Sequence, residues 1–352
     1  MSEVAAGWTS TTTLEAIAEW LRGKPRVVVL THAKPDGDAI GATLGLVRSM
    51  RRVVSAAGGA AGDILAWYTG PMPGWMGDIA SPDEWGHTDR GMPPDASDAV
   101  VVCDTGSWAQ LEGLADYVRS RRSQTAVIDH HLTGEGEMGD RLWVEPAAAA
   151  ACVPVAEVCR VLTGASTCAG LAKDIAEPLL LGCATDTGWY RFSNTNARLL
   201  RLAADLIDAG ADQPRLYEVT EQRQRPARLY AIGRALSGMR LFHKDQLAVA
   251  SITQKDIGDT EAAPGDTGGF ADMMLAIRGV RVAAILTEVE QAPNAVVKMS
   301  VRSKPGPGAV DVNTIVSGLG GGGHARAAGA KVRMTLAEAT DALVKATSEA
   351  LG

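Results

Sequence analysis

Apolar positions along the chain fall into two kinds of run. The first is short, rich in β-branched residues and apolar at nearly every position: Val27 to Leu30, Ile64 to Tyr68, Ala99 to Cys103 and Ala126 to Ile128. Runs with no polar face, separated by stretches of helical spacing, read as central strands of a mostly parallel sheet covered on both sides. The second kind recurs every three to four positions. Thr12-x-x-Glu15 has the form of a capping box, Leu14, Ile17, Trp20 and Leu21 line one face behind it, and Gly23 ends the segment, which predicts an opening amphipathic helix. Residues 69–97 are dense in Gly and Pro and predict an irregular excursion, with Trp75, Trp85 and His87 serving packing alone. From about 145 to 210 the pattern turns helical. Within it, Leu179 to Ala184 fits a strand as well as a helix end, because periodicity does not decide so short a run. The arginine-rich stretch 213–240 reads as a connecting helix with a solvated charged face. Strands at Leu247 to Ile252, Val282 to Leu286 and Val296 to Val301 follow, with helices near 268–278, 311–319 and 335–350. The expected fold class is α/β: a mostly parallel N-terminal sheet with flanking helices over 10–205, a helical linker over 206–240, and a smaller α/β unit over 241–352.

Length agrees with that division, since 352 residues exceed one ordinary core of roughly 150. Charge narrows the choice of partner. Lys and Arg total 34 against 41 Asp and Glu, a net −7, whereas a protein that coats long nucleic acid is normally basic. Short phosphorylated ligands held by a few local cations or a metal remain compatible. The five cysteines, Cys103, Cys152, Cys159, Cys168 and Cys183, lie in apolar surroundings without CxxC spacing, so reduced core thiols are expected rather than disulfides or a zinc site. Met1 to Thr13 has no basic segment leading into an apolar one, and no apolar run reaches the ~18 residues that span a bilayer. A cytoplasmic protein without membrane association is expected, and a homodimer is compatible with the sequence.

The chemistry lies at the ends of the apolar runs. His32 follows the first, Asp104 the third, His130 and His131 the fourth, and Asp186 the ambiguous Leu179 run, while Asp36 and Asp38 sit in the tight His32-Ala33-Lys34-Pro35-Asp36-Gly37-Asp38 loop. In an open parallel sheet these positions converge on the ligand crevice at the carboxyl ends of the strands. Four carboxylates there would repel and stay partly protonated unless cations neutralised them. An oxygen and nitrogen donor set without thiolate suits two divalent ions, Mn²⁺ first and Mg²⁺ or Co²⁺ next. The expected allotment is His32 and Asp36 on one ion, Asp38, His130 and Asp186 on the other, with Asp104 bridging.

A second signal is Gly320-Gly321-Gly322-Gly323-His324. It overlaps a G-x-G-x-x-G match, but the preceding residues read as helix and no acidic residue follows about 20 positions on, so a dinucleotide site fails its context. A tight turn is the bland reading; the alternative is that backbone N–H groups at Gly322 and Gly323 approach a phosphate or base. Arg302-Ser303 closes the Val296 strand, and an Arg fork beside a hydroxyl suits a terminal phosphate.

Taken together, Thr31 to Gly41, Asp104-Thr105-Gly106, Asp129-His130-His131 and Thr185 to Arg191 resemble the four motifs of the DHH phosphoesterase family, in order and spacing. Arg302-Ser303, Asp311-Val312 and Gly320 to Gly329 resemble its DHH-associated nucleotide-binding domain. The resemblance runs from about residue 10 to the C-terminus and is strongest to the NrnA-like branch of nanoRNases and pAp (3′-phosphoadenosine 5′-phosphate) phosphatases. It implies that Asp186 arrives on a helix end, that His131 contacts phosphate without ligating metal, and that Asp129 holds the imidazoles. Pro146 to Ala151 departs from it, being an alanine run where relatives often carry hydroxyls, so no polar role is assigned there. The implied activity is exonucleolytic hydrolysis of short oligonucleotides, or of pAp, at a two-metal centre, with Asp104, His131 and Arg191 as catalytic candidates and Arg302, Ser303, Gly322, Gly323 and His324 gripping the substrate. The rival readings are a cyclic- or linear-dinucleotide phosphodiesterase, an inorganic pyrophosphatase, and a catalytically silent nucleotide-binding module.

Overall fold

A computed structural model of the chain, describing residues 7–263, 265–306 and 308–351, divides into two compact units, Met1–Gln222 and Arg223–Gly352. In the first, six parallel strands form one sheet: β1 (Val27–Leu30), β2 (Ile64–Tyr68), β3 (Trp85–His87), β4 (Ala99–Cys103), β5 (Thr125–Asp129) and β6 (Arg141–Val144). Their order is β3-β2-β1-β4-β5-β6, so the chain reverses direction of travel across the sheet between β1 and β4. That reversal opens a crevice at the carboxyl ends of those two strands. Alternation along β1 and β4 divides the core between the two faces. Val27, Val29 and Val101 point into the side covered by α1 (Leu14–Leu21), α2 (Gly37–Ala56), α5 (Cys152–Thr163) and α6 (Lys173–Asp186). Val28, Leu30, Val100 and Val102 face Trp8, Leu111 and α4 (Ala115–Arg119). Both faces are buried, which is why the runs carry no polar alternation.

Residues 69–97 are less irregular than their composition suggests. They contribute α3 (Met76–Ile79) and the edge strand β3, whose Trp85 and His87 pair with Ala66 and Tyr68. Three residues with a central Gly86 leave no readable period. The Leu179 run lies inside α6, and the α-helices α7 (Ala197–Asp208) and α8 (Gln213–Glu221) complete the first unit.

Helices α2 and α6 cross closely because α2 presents a row of glycines. A Cβ on Gly37 would fall 2.2 Å from Thr185 Oγ1, one on Gly41 2.3 Å from the Pro178 carbonyl, and one on Gly45 2.8 Å from the Leu179 side chain. This approach brings Asp38 at the start of α2 to Asp186 at the end of α6. The Gly41→Ala variant, which sets a methyl against backbone, is expected to lose about 1–3 kcal/mol of stability. Denaturant melts check this, and an unchanged midpoint would mean the two helices separate freely.

The second unit holds α9 (Pro226–Ser237), β7 (Arg240–Phe242), β8 (Leu247–Ile252), α10 (Gln254–Thr260), α11 (Ala271–Leu275), β9 (Val282–Glu290), β10 (Val296–Ser303), α12 (Val312–Ser317), β11 (Gly322–His324), β12 (Ala327–Val332) and α13 (Leu336–Leu351). Its sheet runs β11-β12-β10-β9-β8-β7 and is antiparallel except for the β8/β9 pair. The stretch 213–240, read as one helix, is two helices broken before Pro226, which lacks an N–H and starts α9. Ile232 and Ala235 of α9 pack onto β8 in the second core. Gly322–His324, read as loop, is an edge strand in a hairpin with β12.

Candidate metal centre

Each acidic or imidazole side chain is delivered by an element end. Asp36 is the N-cap of α2, where its Oδ1 accepts from the N–H groups of Asp38 and Ala39 at 3.0 and 3.1 Å. Asp38, in the first turn, is buried and accepts from the N–H of Ala151 at 2.5 Å and of Cys152 at 2.9 Å. The alanine run therefore does have a polar role, through its backbone: it offers the N-terminus of α5 to a carboxylate. Asp104 follows β4 with φ +60°, a left-handed conformation that an Asp tolerates better than most residues and that turns the chain sharply at the strand end.

Backbone carbonyls fix the tautomers of two imidazoles. His32 Nδ1 lies 3.0 Å from the Ala33 carbonyl, and His130 Nδ1 lies 3.2 Å from that of Ala148. A carbonyl only accepts, so each Nδ1 carries the proton and each Nε2 is left to face the acids. His32 Nε2 stands 3.5 Å from Asp104 Oδ2 and 3.8 Å from Asp36 Oδ1. His130 Nε2 stands 3.4 Å from Asp104 Oδ1, 4.0 Å from Asp38 Oδ2 and 3.9 Å from Asp186 Oδ2. The two oxygens of Asp104 thus face two different donor groups, His32–Asp36 and Asp38–His130–Asp186. His32, Asp36 and Asp104, and likewise Asp38, His130 and Asp186, each offer three donor atoms mutually within 4.8 Å. These clusters match the donor chemistry of a divalent cation, with no thiolate among them. His131 can be drawn into a third such group with Asp104 and His130, but its Nδ1 donates to Asp129 Oδ1 at 2.7 Å and has no lone pair to offer.

Asp129 therefore holds one imidazole rather than both. Its Oδ1 accepts from His131 Nδ1 and from the N–H groups of His130 and His131, while the His130 ring is held by Ala148. The hydrogen bond to Asp129 raises the His131 pKa against the effect of burial, which favours the doubly protonated ring. Asp129→Asn is expected to lower kcat about 10- to 100-fold with metal stoichiometry intact. Steady-state kinetics beside a metal titration separate the two, and loss of metal would reassign Asp129 to the cage.

Without a cation the cage balances its charge with protons. Burial disfavours the imidazolium of His32, yet Asp104 and Asp36 hold its pKa up to about 11. Burial likewise works against His130, and Asp104 and Asp38 raise it to about 10. Burial would raise Asp104, but the two histidines outweigh it and lower it to about 2. Burial lifts Asp186 to about 6 and Asp38 well above its usual range. A site that compensates its acids in this way is one a cation fits, with loss of protons.

Two supports belong to none of the sequence motifs. Asn194 Nδ2 donates to the carbonyls of Ala149 and Asp186 at 3.0 and 3.3 Å, pinning α6's end. Trp8 Nε1 donates to the His131 carbonyl. Arg191 is not gathered with the six candidate donors: it is exposed and its Nε donates to the Gly188 carbonyl at 2.7 Å.

In the second unit, Arg302, Gly322, Lys298 and Lys331 line a concavity of about 570 Å³. Ser303 is not presented there, since its buried hydroxyl donates to the Val310 carbonyl at 2.7 Å. Gly323 backs into the hairpin, where a Cβ would lie 2.6 Å from the Ala327 carbonyl. The side chain of His324 lies outside the described residues.

A six-stranded parallel sheet bearing an Asp–His cage at its topological reversal, followed by a separate mixed-sheet unit, defines a metal-dependent phosphoesterase class. The chain belongs to the DHH family: residues 26–183 match the N-terminal domain of that family, and residues 244–352 match the DHHA1 domain. It is 31% identical, over 96% of its length and 94% of the relative's, to the bifunctional oligoribonuclease and PAP phosphatase NrnA of Thermus thermophilus. It is 25% identical to the cyclic-di-AMP phosphodiesterase PdeA of Listeria monocytogenes, over 94% of this chain and 49% of that one. The crystal structure of an exopolyphosphatase-related protein from Bacteroides fragilis shares the fold with a TM-score of 0.83, at 22% identity and 96% coverage of both chains. Among the described residues no helix is long and apolar enough to cross a membrane.

Proposed function

We propose that the chain hydrolyses short oligonucleotides from one end, and pAp, at a centre of two divalent ions, Mn²⁺ first, in the cytoplasm. The observation that carries this is the divided Asp104 carboxylate, with one oxygen toward His32 and the other toward His130. One acid facing two imidazole-containing donor groups is what a shared ligand of two cations requires. The relative with the fuller match, NrnA, is named for both activities.

Bound divalent ions would lower the pKa of water and offset charge on a phosphoryl group. The protein's share is orientation. Asp104, Asp36, Asp38 and Asp186 would hold the cations together with His32 and His130, whose tautomers the Ala33 and Ala148 carbonyls fix. His131, whose imidazolium form Asp129 favours, donates from Nε2 to a nonbridging phosphate oxygen as charge builds there. In the reaction a water oxygen bonds to phosphorus, the bond from phosphorus to the leaving ribose oxygen breaks, and that oxygen leaves with a proton. Arg302 and Gly322 are the proposed contacts for the remainder of the substrate, which the acidic net charge suits only if it is short.

A turnover panel with Mn²⁺ tests this across pAp, two- to five-nucleotide RNAs, cyclic and linear dinucleotides, and pyrophosphate. Adenosine monophosphate and phosphate from pAp, and mononucleotides from short RNA, are expected, with pyrophosphate slow. Turnover confined to cyclic dinucleotides would favour the second reading that the PdeA match supports.

A further inference from the structure

Trp8 belongs to none of the motifs and lies far upstream of them, yet it is fully buried. The segment before α1 is stapled along β6: the N–H groups of Leu142 and Val144 donate to Thr11 Oγ1 and Ser10 Oγ, both at 2.9 Å, and Thr11 N–H donates to the Leu142 carbonyl at 2.8 Å. This anchorage drives the indole under the candidate centre. Its N–H donates to the His131 carbonyl at 3.0 Å. Its ring fills the space that side chains would take at two glycines: a Cβ on Gly106 would lie 2.3 Å from it, and one on Gly134 2.5 Å.

Gly106 ends the turn that begins with Asp104, and Gly134 lies in the turn that follows His131. The Glu135 N–H stitches the two turns by donating to the Gly106 carbonyl at 2.8 Å. One side chain is therefore wedged between the turn bearing the shared carboxylate and the turn bearing the phosphate-facing imidazole. The His131 peptide is held from both sides, its N–H by Asp129 Oδ1 at 3.3 Å and its carbonyl by Trp8. A tryptophan that only filled the core would be replaced by another ring at little cost; the hydrogen bond to this carbonyl gives the indole a second task.

We propose that Trp8 is a positioning residue for the phosphoester hydrolysis, fixing the His131 peptide against the Asp104 turn through its indole N–H. This rests on the phosphate-contacting role of His131 given above. Displacing a donor by a fraction of an ångström weakens a contact made only as the reaction proceeds, which lowers kcat and leaves KM nearly unchanged.

The test is a double-mutant cycle of Trp8→Phe and His131→Ala, assayed with pAp and Mn²⁺, beside thermal melts and a titration that follows free Mn²⁺ by its electron paramagnetic resonance signal. His131→Ala is expected to lose about a hundredfold in kcat. Trp8→Phe is expected to lose about tenfold in kcat, with KM and Mn²⁺ stoichiometry as in the wild type. In the His131→Ala background the same Phe substitution costs nothing further, because the group it positions is gone. A purely structural loss lowers activity equally in both backgrounds, and that result, or full activity of Trp8→Phe, overturns the proposal. A wild-type chain without Mn²⁺-dependent turnover overturns the functional reading along with it, whereas an active wild type with an unaffected Trp8→Phe overturns the positioning role alone.

Discussion

Asp104→Asn is expected to lower turnover by at least about three orders of magnitude while the chain stays folded. The substitution keeps the shape of the side chain and removes the charge that both donor groups share. Asp104 is nearly fully buried at a strand end, with Oδ2 toward His32 and Oδ1 toward His130. Any other ligand serves one group; this one serves both, so its loss weakens two sites and the spacing between them. Calorimetric titration of metal into the variant should show fewer ions bound than in the wild type. Thermal melting of the metal-free variant should show a lower midpoint with a cooperative transition retained, because the pairing with His32 and His130 that holds Asp104 down to about 2 outweighs the repulsion it exerts on Asp38 and Asp186. Unchanged Mn²⁺-dependent activity in Asp104→Asn would remove Asp104 from the centre and with it the argument for two ions.

The ligands were legible because chemistry and topology coincide. In a parallel sheet buried on both faces a strand carries no polar residue until it ends, so the first acid or imidazole after Val27 to Leu30, Ala99 to Cys103 or Ala126 to Ile128 marks the crevice edge. What stayed hidden was supplied by backbone or by distance in the chain. The Ala148 carbonyl and the Ala151 N–H act on His130 and Asp38, and nothing in an alanine's side chain announces that. Trp8 belongs to no motif or periodic run, although glycines at 106 and 134 leave room for a large ring. The ambiguity at Leu179 had an unread key in Gly37, Gly41 and Gly45. Glycines four apart on one helix face call for a close partner helix, and α6 is that partner. Short edge strands failed for another reason. β3 and β11 have three residues each, fewer than two full periods of alternation, and both hold glycine, which packs no side chain.

Metal affinity should rise steeply with pH. In the metal-free chain His32 and His130 titrate at about 11 and about 10, against the ordinary 6.5, so at neutral pH both are imidazolium cations paired with the carboxylates around them. A cation binds imidazole only through a free Nε2, so each ion must expel one proton, from His32 or from His130, and filling both sites expels two. The apparent constant should climb by up to about tenfold per pH unit for each ion, and about a hundredfold for loading the pair, between pH 7 and 9, and flatten once the pH passes the raised values. Below about pH 6 Asp186 also holds a proton, which steepens the dependence further. The metal-free fold responds with the opposite sense. Because both histidine pKa values lie above the unfolded value, their pairing stabilises fully below about pH 6.5 and is lost as the pH rises through about 10 and 11. Alkaline conditions thus weaken the empty cage in the range where they strengthen its hold on metal, and the gain in melting temperature on adding Mn²⁺ should widen from pH 7 to pH 9. Calorimetry at pH 7.5 in two buffers of different ionisation enthalpy counts the protons directly. At least two should be released as the cage fills, one from each imidazole, with any further proton coming from Asp38; a count near zero would mean that the imidazoles are neutral beforehand and that the acids around them are balanced by another means.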